Sequence, residues 1–196
     1  VFKALMPRDK LNASNILCQV SSRSDFTADL LLIETRQDGK QTLMMGQFNE
    51  RGLAASLGAI PVSDIFSSMS RKGFSVDKIA TEINSKLHHQ LPSNLLLAAC
   101  FVEIDPVQGQ ASIWNGGLDS VYLLNGKDGS LRQRVESQHQ PLGSLSPEAF
   151  DSHLQLIQVA ESDQLFMATA GVTGQLNSHG ETFGRERLEA ILNETE

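Results

Sequence analysis

Short apolar blocks of strand length, bounded by Gly, Asn, Asp and Pro, lie on both sides of one helical stretch. Residues 15–20 (NILCQV) and 29–35 (DLLLIET) read as strands; the turn Gln37-Asp38-Gly39-Lys40 closes the second, and 42–46 completes a hairpin. From Gly52 the period changes. Leu53, Leu57, Ile60, Ile65 and Met69 recur at near-helical intervals and predict a helix with this stripe against the core. Pro61 removes a backbone donor and clashes one turn back, so a kink or two segments is expected there. After Arg71-Lys72-Gly73, Ser75 is a candidate N-cap. Val76, Ile79, Ile83 and Leu87 then give one apolar face through about residue 88. His88 and His89 are adjacent and diverge on a helix; they predict a solvated end that suits the dipole, not an i, i+4 ligand pair.

The second half is strand-rich. Residues 95–104 (LLLAACFVEI) form a near-continuous apolar run, read as a strand buried on both faces. The turn 105–109 leads it into 110–114. Further strands are expected at 120–124, 131–135 and 153–159, with the Gly-containing turn 125–129 between the first two. The apolar run 165–168 ends at the turn Thr169-Ala170-Gly171-Val172. A Gly/Asn/Ser-rich stretch then leads to a last helix from about Phe183, with Leu188, Ile191 and Leu192 facing inward.

Composition narrows the function classes. With 196 residues, 40% hydrophobic and 20% charged, the chain has enough material for one buried core and no shift that divides it, so residues 1–196 read as a single α+β domain. The formal charge of −7 and the lack of a Lys/Arg block disfavour nucleic acid as a partner. No apolar run approaches the roughly 20 residues of a membrane helix, and no signal peptide heads the sequence; no membrane association and a cytoplasmic location are expected. Cys18 and Cys100 lie in apolar-flanked segments without zinc spacing and predict two buried, reduced thiols. No GxSxG elbow or HExxH is present, and the histidines sit in polar or turn-like contexts. The start at Val1 reads as a piece of a longer polypeptide.

Several turns carry motif residues in a fixed order. They are a Pro7-containing lead-in (residues 1–10), Ser24-Asp25-Phe26, Gly46 to Ala55 (GQFNERGLAA), Asn115-Gly116-Gly117-Leu118, Pro141-Leu142-Gly143, Thr169-Ala170-Gly171-Val172 and the FGRERL of 183–188. This series resembles the SpoIIE-like branch of the metal-dependent (PPM-type) bacterial Ser/Thr phosphatases, whose corresponding elements are LxP, GDF/GDW, DVSGxGxxAA, NAGH, PLG, TDGV and FGxERL. The resemblance implies that family's four-layer α-β-β-α sandwich, two antiparallel sheets flanked by helices.

By the same resemblance, the family's metal aspartates fall on Asp25, Gln47 and Ala170. Asp25 reads either as a remnant metal ligand or as a turn aspartate bonding its own backbone. At Gln47 a neutral amide replaces a bridging carboxylate, and at Ala170 a methyl group holds no cation. The first motif glycine falls on Glu50 and the NAGH histidine on Leu118, while Gly52, Asn115, Gly117, Gly143 and Gly171 match the motif loops. The DD pair that supplies the family's last metal aspartate is not in the sequence. Metal-bound water and cation charge drive phosphoester hydrolysis in such sites. A catalytically degenerate domain is therefore expected, a pseudophosphatase with no catalytic residues and no cofactor. The resemblance implies a protein partner (a sigma factor, anti-sigma factor or antagonist) and an upstream receiver or sensor domain, as in response-regulator outputs and RssB-type adaptors. The alternative is an active Mn- or Mg-dependent phosphatase acting on an anti-sigma antagonist, in which Asp25, Asp29 or Glu34 regroup as ligands. A third reading is a homodimerisation or scaffolding module.

Overall fold

A computed structural model describes residues 15–19, 28–90 and 94–194. The lead-in of residues 1–10 and Asp25 lie outside the described residues. Strands β1 (Asp29–Thr35), β2 (Gln41–Phe48), β3 (Leu97–Asp105), β4 (Gln110–Gly116) and β7 (Gln155–Gln158) form a five-stranded sheet in the order β1-β2-β3-β4-β7. Strands β5 (Val121–Leu124), β6 (Leu131–Val135) and β8 (Gln164–Phe166) form a three-stranded sheet in the order β6-β5-β8. All pairings are antiparallel. Among the described residues the helices are α1 (Leu53–Arg71), α2 (Val76–Gln90), the single turn α3 (Ala170–Thr173) and α4 (Gly184–Leu192). None is long and apolar enough to cross a membrane.

Side-chain alternation builds the layers. On β3, Leu97, Ala99 and Phe101 join the core under α1 and α2, while Cys100 and Val102 join a second core between the sheets. Val121, Leu123 and Val135 of the smaller sheet close that second core. On its outer face, the Tyr122 hydroxyl donates to Glu189 of α4 at 3.3 Å, and Leu188 is buried. The result is the expected α+β sandwich of two antiparallel sheets between helices.

Most predicted elements appear, with differences at identifiable places. Residues 15–19 form no strand, and Cys18 is half-exposed rather than buried. The β1–β2 hairpin, α2 with its Val76, Ile79, Ile83 and Leu87 face, and β6 match the expected pattern. His88 and His89 end α2 exposed. Ile191 is exposed, leaving Leu188 as the buried side chain of α4.

Helix α1 departs furthest from expectation. It is one continuous helix with Pro61 inside it, not two segments. Leu57, whose carbonyl loses its helical donor to the proline, sits on the solvent side, where water can serve instead. The predicted stripe divides: Leu53, Leu57 and Ile60 are turned outward, 74%, 55% and 51% exposed, while Ile65 and Met69 are partly buried against the core. The buried face is made of smaller groups, with Ala55, Ala59, Val62, Phe66 and Ser70 at helical spacing. Small side chains let the helix axis approach the sheet closely. Ser56 and Ser63 satisfy their hydroxyls one turn back, on the carbonyls of Gly52 (3.0 Å) and Ala59 (2.7 Å).

The two faces of α1 therefore predict opposite mutational costs. In urea denaturation, Leu57→Gln is expected to change stability by less than about 0.5 kcal/mol, as exposed sites do. Phe66→Ala, which empties a fully buried site, is expected to cost about 3–5 kcal/mol.

Candidate functional site

The motif residues sit at the end of the sandwich where β2 runs into α1. Register pairs Asp29 with Gln47 and Gln47 with Ala98, putting the first residue of β1 beside the end of β2. The Gln47 Nε2 amide donates to Asp29 Oδ1 at 2.7 Å, at a half-buried position. The turn that follows is tied to the lead into β3. Asn49 donates from Nδ2 to the Asn94 carbonyl (2.7 Å), and its Oδ1 accepts the Leu96 N–H (2.8 Å). Gly52 caps α1 with φ 72° and ψ −134°, a backbone region open in practice only to glycine.

On the facing side, β8 ends at Phe166, Thr169 is extended and the chain makes the single turn α3. The expected turn at 169–172 is therefore short helix. A cavity of about 370 Å³ between these two stretches is lined by Gln47, Asn49, Arg51, Ala170, Gly171 and Gln175, among others. The structure thus brings together Gln47, Ala170 and Gly171, which lie more than a hundred residues apart in sequence.

The other motif residues frame the same end without lining that cavity. Asn115 is buried; its Nδ2 donates to the Asp119 carbonyl (2.9 Å), and its Oδ1 accepts the Leu118 N–H (3.3 Å). Leu118, at the position of the family's histidine, is buried in the inter-sheet core. Gly116 is crossed so closely that a Cβ there would run into the Trp114 ring and the Gln140 carbonyl. The Gly143 N–H donates to Asn84 Oδ1 at 2.9 Å.

Two functional-looking residues were missed in the sequence. Asn84, fully buried, holds Gly143 and also donates to the Leu145 carbonyl (3.0 Å); its trace was a polar residue beside the apolar face of α2. Asp119 accepts from the Thr173 hydroxyl at 2.7 Å and so ties α3 to the loop after β4. No local pattern marks that pairing.

Among the described residues, this donor set does not fit a pair of hard divalent cations. Such ions are held by several anionic oxygens. Here Gln47 offers one neutral carbonyl, Ala170 offers none, and the Asp29 carboxylate accepts the Gln47 amide. Glu34 cannot join Asp29: it lies five residues along β1, about 17 Å at ~3.3 Å per residue, on the opposite face. It is instead held by Arg71 at 2.9 Å. Among the described residues no group of three or more His, Cys, Asp or Glu could hold a metal ion. Nor is there a ready nucleophile in Cys100, whose thiol burial pushes up to about 12.

Two antiparallel sheets clamped between helices, with turns gathered at the end of the central sheet, are the architecture of PP2C-type phosphatase domains. Within that class the chain belongs to the Stage II sporulation protein E (SpoIIE) family, whose model matches residues 37–196. Solved structures agree on the fold. The SiaA-PP2C domain of Pseudomonas aeruginosa superposes with a TM-score of 0.82 at 17% identity, over 97% of this chain and 76% of that one. A Bacillus subtilis SpoIIE structure, the PP2C phosphatase domain with a fragment of its regulatory domain, gives 0.63 at 15% identity, over 84% of this chain and 50% of that one. RsbX in complex with magnesium gives 0.61 at 11% identity, over 90% of each chain. No curated protein matches by sequence.

The backbone at Gly52 gives a direct check on this loop. Gly52→Ala meets no steric obstacle, yet it is expected to cost about 1–3 kcal/mol through φ alone. Gly171→Ala, in ordinary helical geometry, is expected to cost well under half of that. Chemical denaturation of the two variants measures the difference.

Proposed function

We propose that this domain is a pseudophosphatase: it keeps the SpoIIE-type scaffold, has lost the metal-dependent hydrolysis, and works by binding a protein partner. The observation that carries the reading is the convergence of Gln47 and Ala170 on one cavity, with the neighbouring Asp29 carboxylate bonded to the Gln47 amide. Where the family resemblance calls for carboxylates that bridge and hold cations, this chain supplies an amide and a methyl group. The amide's N–H stands against Asp29 as a neutral substitute for a cation, and it can neither polarise a phosphoryl oxygen nor acidify a water.

The partner is a component of a stress or sigma-factor pathway (a sigma factor, an anti-sigma factor or its antagonist), and the domain is the output of a longer response regulator or adaptor. Membership of the SpoIIE family supports this placement. The competing reading is an active Mn- or Mg-dependent Ser/Thr phosphatase with Asp25 and Asp29 as ligands. It draws support from the magnesium-bound RsbX relative and from the half-buried Asp29 carboxylate beside the cavity.

Calorimetric titration with manganese separates the two. The natural domain is expected to give no saturable heat up to millimolar metal, and the double variant Gln47→Asp, Ala170→Asp is expected to gain binding by restoring two anionic positions. Saturable micromolar binding by the natural chain, lost in Asp25→Asn, would overturn the pseudophosphatase reading in favour of the enzyme.

A further inference from the structure

The outward line of α1 is apolar along its first two turns and charged at both ends. At about 100° per residue, Leu53, Leu57, Ile60 and Asp64 fall within about 60° of one another on the helix surface. All four are exposed. Their spacing alternates four and three residues, which is the spacing of a seam between two helices. Arg51, also exposed, stands immediately before the first turn, and Asp64 closes the line. Among the described residues neither Arg51 nor Asp64 has a hydrogen-bond or ion-pair partner. Arg71, further along the same line, is already held by Glu34 at 2.9 Å.

This order of cation, apolar residues and anion is complementary to its own reverse. A two-fold axis perpendicular to α1 lays a second copy of the helix antiparallel on the first. With the axis passing between Leu57 and Gly58, position 51 of one copy lies level with position 64 of the other, and Leu57 and Ile60 meet their counterparts at the centre. A parallel pair would instead set Arg51 beside Arg51 and Asp64 beside Asp64, like charge against like. We propose that α1 is a self-association surface: two copies of this chain pack antiparallel through Leu53, Leu57 and Ile60, with Arg51 of each paired to Asp64 of the other. The contact is small beside the roughly 800 Å² per partner of a standard interface, so the dimer is weak and forms with rising concentration.

The pairing reaches the candidate site. Arg51 also lines the cavity shared by Gln47 and Ala170, and among the described residues lining it none is acidic. Asp64 of the second copy therefore brings a carboxylate to the rim of that cavity. Dimerisation in this way covers one side of the face through which the domain meets another protein. It holds whether or not the domain binds metal.

Sedimentation equilibrium of the whole chain, from about 1 µM to about 1 mM in about 0.15 M salt, tests the surface. At that ionic strength the formal charge of −7 on each copy is screened beyond about 8 Å. The natural chain is expected to pass from monomer to dimer with no larger species, as a closed two-fold contact requires. Leu57→Gln is expected to weaken the dimer at least about tenfold while leaving the fold intact. Arg51→Asp and Asp64→Arg should each weaken self-association about tenfold by setting like charges together. Mixing those two variants should restore association, because both cross-pairs are then opposite in sign. A natural chain that stays monomeric throughout overturns the proposal and leaves the face to a different partner. So does a dimer that Leu57→Gln leaves intact, or a pair of charge variants that associate no better mixed than alone. Should a variant fail to fold, Ile60→Gln takes its place, and a dimer of unchanged strength rejects the surface.

Discussion

The five-stranded sheet carries apolar side chains on both faces, so it folds only if each face is covered, and the two coverings fix the position of everything else. Helices α1 and α2 take one face through Leu97, Ala99 and Phe101, and the three-stranded sheet takes the other through Cys100 and Val102. Both layers lie edgewise at the end where β2 turns into α1. That end is where turns from distant parts of the chain meet, because connections must run over a surface that neither core occupies. The cavity between Gln47 and Ala170 is a consequence of this stacking.

Much of this was readable in the chain because period and position agreed. The run 95–104 is apolar at consecutive positions, as a strand with two buried faces must be, and Val76, Ile79, Ile83 and Leu87 mark one face of α2 without ambiguity. Reading the inward face of α1 from the spacing of its large apolar residues held for Ile65 and Met69 and failed for Leu53, Leu57 and Ile60, for a physical reason. What a helix buries depends on how near its axis comes to the sheet, and here Ala55, Ala59 and Ser63 permit an approach that the larger Leu53, Leu57 and Ile60 would block. Hydropathy identifies the stripe but does not say which stripe faces inward when both are apolar.

Individual positions of the site were legible through the motif order, whereas its contacts were not. Gln47 and Ala170 were placed by motif neighbours, of which Gly52 is fixed by its positive φ whereas Gly171 lies in ordinary helical geometry. The bond from Gln47 to Asp29 depends on strand register, and that from Thr173 to Asp119 on how α3 is set against the loop after β4. Neither follows from spacing along the chain. Asn84 escaped for the opposite reason: its role is satisfied entirely by backbone groups of a loop some sixty residues away, so nothing near it in sequence announces it.

On the reading proposed above, the amide at Gln47 also bears on how such a scaffold can persist without ions. Clustered carboxylates repel one another and, without cations, are held ionised at a cost to the fold. A glutamine at 47 carries no charge and donates a hydrogen, so the nearby Asp29 carboxylate has a neutral partner at 2.7 Å. Alanine at 170 brings no charge, at an exposed position with no packing demand. The two cores, the Asn49 clamp on its loop and the Asn84 clamp at Gly143 involve neither position, so the loops gathered at this end are held independently of them.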